Sequence, residues 1–418
     1  MTTTTAVHVD VRGVVKHVGT LWTRQRNGRE SASFEYTDAW LEDPGGFALD
    51  PQLVLTRGVH HTSSDRSLFG AMGDSAPDRW GRILMKRLEA RLAQEEGRSP
   101  RTLRDIDHLL MVDDQLRQGA LRFTSQEGGP FLASIDVHGI PPLVELPRLL
   151  AASDHVLRDV DTMEDLRLLL APGSSLGGAR PKAAVRGRSG ELFIAKFPRH
   201  DDDYRLELWS HLCMVLATGC GIDTAGSSLV TAAGRRVHLV RRFDRHAVGR
   251  IPYLSAMSLI GAVDGEARSY LEIADGLRRH GAHVAEDLKQ LWMRMLFSVL
   301  ISNADDHLRN HGFLYDDDRR GWRLSPAFDL NPVPHAPRYL SLTIDEHNAA
   351  MSTDLVCSVG RYFGMTTAVM RDEVERVLRV IATWRAEARR LRIPRQEIDF
   401  MSGAFEHDAL LEAQRLVR

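Results

Sequence analysis

Apolar and polar residues alternate through much of residues 6–37, in "VHVDVRGVV", "VGTLWTR" and "SASFEYT", with Gly and Asn between the runs. A period of two sends one face of a strand to a core and the other to water, so this stretch predicts a small antiparallel sheet. The period then lengthens. In "APDRWGRILMKRLEARLAQEEG", Pro77 and Asp78 stand where a helix starts, Trp80, Ile83, Leu84 and Leu88 recur at helical spacing, and Gly97 closes the segment. A loop-rich stretch carrying "DDQLRQGALRF" follows, then two amphipathic segments near 144–158 and 161–171, then a glycine-rich break.

Beyond the break, "PKAAVRG" and "ELFIAKFP" read as two strands turned through "RSG", and "YRLELWSHLCMVLATGCG" as a helix ending at glycine. "SSLVTAA" and "RRVHLVRRF" supply two more strands. After Leu254 the pattern is almost wholly helical, broken by one polar motif and the loop-rich stretch behind it. There "VAEDLKQLWMRMLFSVLIS" is apolar nearly all round its second half, which predicts a buried helix presenting the polar motif at its end. The class is α+β. The expected divisions are a β-rich subdomain with a helix over 1–140, a sheet with its helix over 141–254 and a helical lobe over 255–418.

The 418 residues, 43% hydrophobic and 26% charged, suffice for a sizeable core and more than one domain. Fifty-four basic against 56 acidic residues set up no global field toward nucleic acid or an anionic membrane. Cys213, Cys220 and Cys357 are an odd set without metal-like pairing, which suits a reducing compartment. "MTTTTAVHVDV" lacks the basic start and apolar run of a signal peptide, and no run approaches the roughly 20 apolar residues of a membrane span. The expectation is a cytoplasmic protein with no membrane partner.

Four stations in the second half fit one chemistry. "SSLGGARPK", Ser174 to Lys182, is a Ser- and Gly-rich turn before a strand, where bare backbone N–H groups can approach phosphate oxygens. Alone it reads as a turn, and it is not G-x-x-x-x-G-K-[ST]. Lys196 closes the apolar strand of "FIAKFP" fourteen residues beyond Lys182, and Glu207 on the next helix could orient its ammonium as a kinase glutamate does. The plain alternative is a surface lysine at a strand end.

The third station is "SNADDHLRNHGFLY", in which Asp305, His307 and Asn310 form D-x-H-x-x-N. The step of five from acid to amide matches the kinase catalytic loop, where the aspartate accepts the proton of an attacking hydroxyl and the asparagine holds Mg²⁺. The fourth is "LSPAFDLNP", where Asp329 follows an apolar pair in the place of a second Mg²⁺-gripping carboxylate. Its phenylalanine precedes the acid, so a swinging D-F-G phenylalanine is not implied. A rival account puts His307 and His311, four apart, on one helical face with Asp305 to bind zinc. No H-E-x-x-H occurs, and Gly312 with "FLY" argues against a continuous helix, leaving His307 as a loop brace and Asp316 to Asp318 as a solvated turn.

Taken together, "SSLGGARPK", "FIAKFP", "LVRRFDR", "NADDHLRN" and "LSPAFDL" resemble the HipA family of serine/threonine kinases, the toxin half of bacterial HipBA toxin-antitoxin pairs. "VGTLWTR", "DSAPDRWGR" and "DDQLRQGALRF" resemble its N-terminal region, so the likeness runs from about residue 8 to 400. It implies a two-lobed, protein-kinase-like fold, and use of ATP and Mg²⁺. By the same resemblance Asp305 is the catalytic base with His307 beside it, Asn310 and Asp329 are metal ligands, and Lys196, oriented by Glu207, contacts phosphates. Ser175, Gly177, Gly178, Ala179 and Lys182 would form the phosphate loop, and Arg241, Phe243 and Asp244 the hinge that meets adenine and ribose. Ser175 falls where family members phosphorylate themselves, adding about two negative charges beside ATP. A HipB-like DNA-binding antitoxin, and DNA through it, are implied as partners beside an unidentified protein substrate.

The chain departs from the pattern at one place. Where the best-known members read G-A-Q-E-K it reads "GARPK", with Arg180 and Pro181, and proline removes a backbone donor from the loop. That leaves self-phosphorylation and toxicity open. Two other classes stay open beside the protein kinase: a small-molecule phosphotransferase, because lipid kinases carry a similar loop, and a catalytically silent partner that binds an antitoxin on DNA.

Overall fold

The N-terminal alternation builds β1 (Thr2–Val11), β2 (Val14–Arg26) and β3 (Arg29–Tyr36), paired antiparallel in sequence order. β4 (Val59–His61) and β5 (Leu121–Thr124) complete a five-stranded sheet ordered β4-β3-β2-β1-β5. Along β3 every second residue, Ala32, Phe34 and Tyr36, is buried. Arg12 and Gly13, with φ of 51° and 85°, supply the two left-handed residues that a tight hairpin between right-twisted strands needs. Gly249 lies so close to this turn that a Cβ on it would sit 2.0 Å from Gly13 N, so only glycine fits.

The computed structural model describes residues 2–26, 28–133, 139–170, 178–335 and 337–418. These fall into two compact units, Met1–Arg199 with Thr231–Leu254, and His200–Val230 with Ser255–Arg418.

In the first unit the predicted helix runs Arg79–Glu95, with the Asp78 carboxylate accepting Gly81 N at 2.9 Å as its cap. Its buried face is turned from the one expected. Trp80, Leu84 and Met85 are buried, Ile83 is 39% exposed, and Glu89 is buried in ion pairs with Arg98 at 2.5 Å and Arg101 at 3.3 Å. Helices Leu146–Leu157 and Met163–Leu170 match the two amphipathic segments. The second sheet, ordered β6-β7-β9-β8, comprises β6 (Lys182–Arg186), β7 (Leu192–Lys196), β8 (Ser227–Ala232), within which the unit boundary falls, and β9 (Arg235–Arg241).

The helix Leu206–Gly219 belongs to the second unit, where Trp209 packs 6.1 Å from Trp384 and 6.2 Å from Phe405, ring centre to ring centre, and its indole donates to Glu397 Oε1 at 2.8 Å. The helix Val284–Leu300 is the centre of that unit: every residue from Leu291 to Leu300 is buried, as its apolar circumference predicts. Each large apolar side chain so buried contributes roughly 1.5–3 kcal/mol. Arg294, the one cation among them, donates to Ser325 O at 2.5 Å. After β10 (Tyr253–Ser255), where the chain enters this unit, β11 (Gly312–Asp316) and β12 (Gly321–Leu324) form a hairpin directly behind the polar motif. Asp316 Oδ1 accepts the N–H groups of Asp318 and Arg319 at 3.0 Å each, making the acidic run the hairpin turn. Among the described residues no helix is long and apolar enough to cross a membrane.

Candidate active site

In the second unit the buried helix stops at Leu300, and Ser302 turns the chain through φ 52°. The polar motif follows as an open loop, a short 3₁₀ turn Leu308–Asn310, and the start of β11. Asp305 is exposed. Asn310 is buried, and its Nδ2 donates back to Asp305 O at 3.1 Å, closing the loop between acid and amide. Asn310 Oδ1 is buried without a hydrogen-bond partner among the described residues. An orphaned buried amide oxygen is a donor that a hard cation takes, so Asn310 fits a Mg²⁺ ligand.

The brace of this loop is Asp306, which no local pattern distinguishes from Asp305. Its carboxylate, 4% exposed, accepts Ser298 Oγ at 3.0 Å and the Tyr270 hydroxyl, and lies 3.0 Å from His311 Nε2. Burial alone would raise the Asp306 carboxyl, but His311, Tyr270 and Ser298 outweigh it and hold it below the usual range. His307 is half-buried, with Nδ1 unpartnered among the described residues. Because His307 precedes a 3₁₀ turn and His311 turns onto Asp306, the two histidines share no α-helical face, as the zinc account required. No group of three or more His, Cys, Asp or Glu side chains is placed to hold a metal ion among the described residues.

Asp329 stands at φ 58°, a left-handed conformation uncommon outside glycine and most tolerated by Asp and Asn. Its Oδ1 accepts Asn331 Nδ2 at 2.9 Å, and Asn331 N donates to Asn303 Oδ1 at 3.1 Å. Asn303 Nδ2 in turn donates to Ser298 Oγ at 3.2 Å. The structure therefore brings the Asp329 segment against the base of the loop that carries Asp305 and Asn310. The only sequence signal for Asn303 and Asn331 was their place at the edges of the two motifs.

The first unit carries the remaining candidates. Lys196 ends β7 and pairs across the ladder with Lys182, the first residue of β6. Lys182 is buried, and its ammonium meets the Asp78 carboxylate at 2.6 Å. Gly178, with φ 89°, and Ala179 are exposed just before β6, while Ser175 and Gly177 lie outside the described residues. Arg241 is exposed at the end of β9, and the Phe243 ring lies 6.4 Å from that of Tyr253. Asp244 is buried, bonded to Arg242 at 2.6 Å and Arg245 at 2.8 Å, and it accepts Gly119 N at 2.8 Å. Burial opposes its ionisation, yet the two guanidiniums win and hold it far below the usual carboxylate range. Glu207 is buried in the first turn of its helix, in the second unit.

Residues 174–387 match the family model of the HipA-like C-terminal domain, and residues 9–111 that of the HipA N-terminal domain. A Sinorhizobium fredii protein named "Putative kinase Y4mE" is 26% identical over 342 residues, 74% of this chain and 73% of that protein. A Haemophilus influenzae protein named "Putative kinase" is 25% identical over 177 residues, 37% of this chain and 51% of that one. Among solved structures, HipA of Shewanella oneidensis MR-1, determined with HipB and operator DNA, superposes with a TM-score of 0.66 at 17% identity, covering 98% of this chain and 97% of that one. The fold is thus that of HipA. With one family model spanning more than half of the chain and a second its N-terminal quarter, the protein belongs to the HipA family.

Proposed function

We propose that the protein is an ATP- and Mg²⁺-dependent serine/threonine protein kinase of HipA type. What carries the reading is Asn310 Oδ1, a buried acceptor without a partner among the described residues, in the loop that also presents the exposed Asp305 and is tied to Asp329 through Asn331 and Asn303. Asp305 accepts the proton of the attacking hydroxyl, with His307 beside it. Asn310 and Asp329 hold Mg²⁺, which when bound neutralises charge on the transferring phosphoryl group. The protein's own work is positioning and charge compensation.

On the first unit, Lys196 contacts the nucleotide phosphates. The backbone around Gly177, Gly178 and Ala179 meets phosphate oxygens, with Lys182 at the base of that segment. Arg241 and Phe243 serve adenine and ribose through their backbone, and Asp244 locks the hinge from behind through Arg242 and Arg245. Ser175 is the self-phosphorylated position. The partners are a protein substrate and a HipB-like antitoxin through which DNA is met indirectly, in the cytoplasm.

Purified protein incubated with radiolabelled ATP, Mg²⁺ and a cell lysate tests this. Label on protein hydroxyls that disappears with Asp305→Asn is expected. Label confined to small molecules would replace the protein-kinase reading with a small-molecule phosphotransferase, and equal label with Asp305→Asn would remove the base assignment.

A further inference from the structure

The start of the helix Arg79–Glu95 does more than cap itself. Asp78 Oδ1 accepts Gly81 N at 2.9 Å, while Oδ2 receives Lys182 Nζ at 2.6 Å from 104 residues away. The two side chains are 6% and 3% exposed. Trp80 adds two bonds to the same stretch, from its backbone N to Gly178 O at 3.3 Å and from its indole Nε1 to Lys182 O at 3.1 Å. Lys182 Nζ also donates to Gly178 O at 3.2 Å. One helix start thus holds both ends of Gly178–Lys182.

Why so firm a hold is needed follows from the ladder. Lys182 stands directly opposite Lys196. Phe197 N donates to Pro181 O at 3.0 Å, so 181 and 197 hold the bonded position and 182 and 196 the non-hydrogen-bonded one, where facing side chains approach most closely. Like charges so placed repel. Asp78 compensates the Lys182 ammonium, so that the two lysines can face each other across the ladder. Pro181 costs little here, because at the mouth of an edge strand the missing N–H removes one terminal bond only.

We propose that Asp78 and Trp80, from the N-terminal region, are positioning residues for nucleotide binding: they hold Lys182 compensated and β6 in register, so that Lys196 is the lysine that contacts phosphate. Lys182 is then a strut, since transferring a buried, paired ammonium to a nucleotide would strand the Asp78 carboxylate. This inference rests on the kinase reading above.

Calorimetric titration of the full chain with MgATP, alongside steady-state kinetics and circular dichroism, tests it. Asp78→Asn is expected to weaken MgATP binding at least tenfold and raise KM for ATP by a like factor, with kcat at saturating ATP within about threefold. Asp78→Asn with Lys182→Met, which removes both charges, is expected to bind at least threefold more tightly than Asp78→Asn alone, a recovery that general loss of structure would not produce. If Asp78→Asn does not fold, the double variant against Lys182→Met, and Trp80→Phe with an expected three- to tenfold loss of affinity, decide the matter. Unchanged or tighter MgATP binding in Asp78→Asn, or equal affinity across this set, overturns the proposal. A wild-type chain that binds no MgATP defeats the kinase reading itself, and this inference with it.

Discussion

Asn303 Oδ1 accepts the backbone N–H of Asn331 at 3.1 Å, and with the bond from Val333 N to Ser302 O at 3.2 Å it ties the segment carrying Asp329 to the turn that follows the buried helix. Asn303 is 1% exposed, so its acceptor cannot be replaced by bulk water. Asn303→Ala strands the Asn331 N–H and the Ser298 hydroxyl contact, a loss of about 1–3 kcal/mol. Chemical denaturation should show that loss, and the Mg²⁺ concentration for half-maximal ATP turnover should rise in the same variant. A Mg²⁺ requirement unchanged in a destabilised protein would show that Asn303 serves the fold alone.

Asp305 and Asp306 are adjacent carboxylates in opposite surroundings, one exposed and one bound to Tyr270, Ser298 and His311. Asp305→Asn should cut turnover by roughly 10²–10⁴ while leaving stability within about 0.5 kcal/mol. Asp306→Ala should instead cost about 3–5 kcal/mol of stability, because it leaves buried polar partners without their anion. Urea melts of the two variants beside their kinetics give the comparison, and a stable, inactive Asp306→Ala would reverse the assignment.

Removing one hydroxyl from the same cluster gives a finer measure. Tyr270→Phe keeps the ring against His311, whose centroid is 5.6 Å away, and deletes the hydroxyl with its bonds to Asp306 and Ser298. A hydrogen bond to a charged group contributes about 1.5–3 kcal/mol, so the thermal midpoint should fall accordingly. No change in the melt would mean that the Tyr270 hydroxyl does not brace the loop.

Acid should weaken the first unit through His108. This side chain is 2% exposed, its Nδ1 has no partner among the described residues, and burial, aided by Arg82, pushes it down to about 4. The unfolded chain binds the proton near 6.5, so the fold favours the neutral ring. Its contribution is whole above about pH 6.5 and is lost progressively as pH falls toward 4, by about 3 kcal/mol in all. Denaturant unfolding at pH 7 and pH 5 should show a smaller pH slope for His108→Gln than for the wild type. Parallel slopes would place the acid sensitivity elsewhere.

What the sequence determined by itself is what neighbours in the chain decide. The period-two run made β1 to β3, the all-round apolar stretch made a buried helix at Val284–Leu300, and the spacing of Asp305 and Asn310 set amide and carbonyl within reach of each other in one loop. Tertiary structure decided which of several similar side chains does which task. Of two facing lysines, Lys182 is buried because Asp78 comes to it from 104 residues away, and of two adjacent aspartates, Asp306 is buried because Tyr270 and Ser298 pack beneath it. The helix Leu206–Gly219 sits in the second unit because Trp209 finds Trp384 and Phe405 there. Periodicity reports a residue's own face, but the cost of burying a charge is settled by a partner whose distance along the chain no local pattern records.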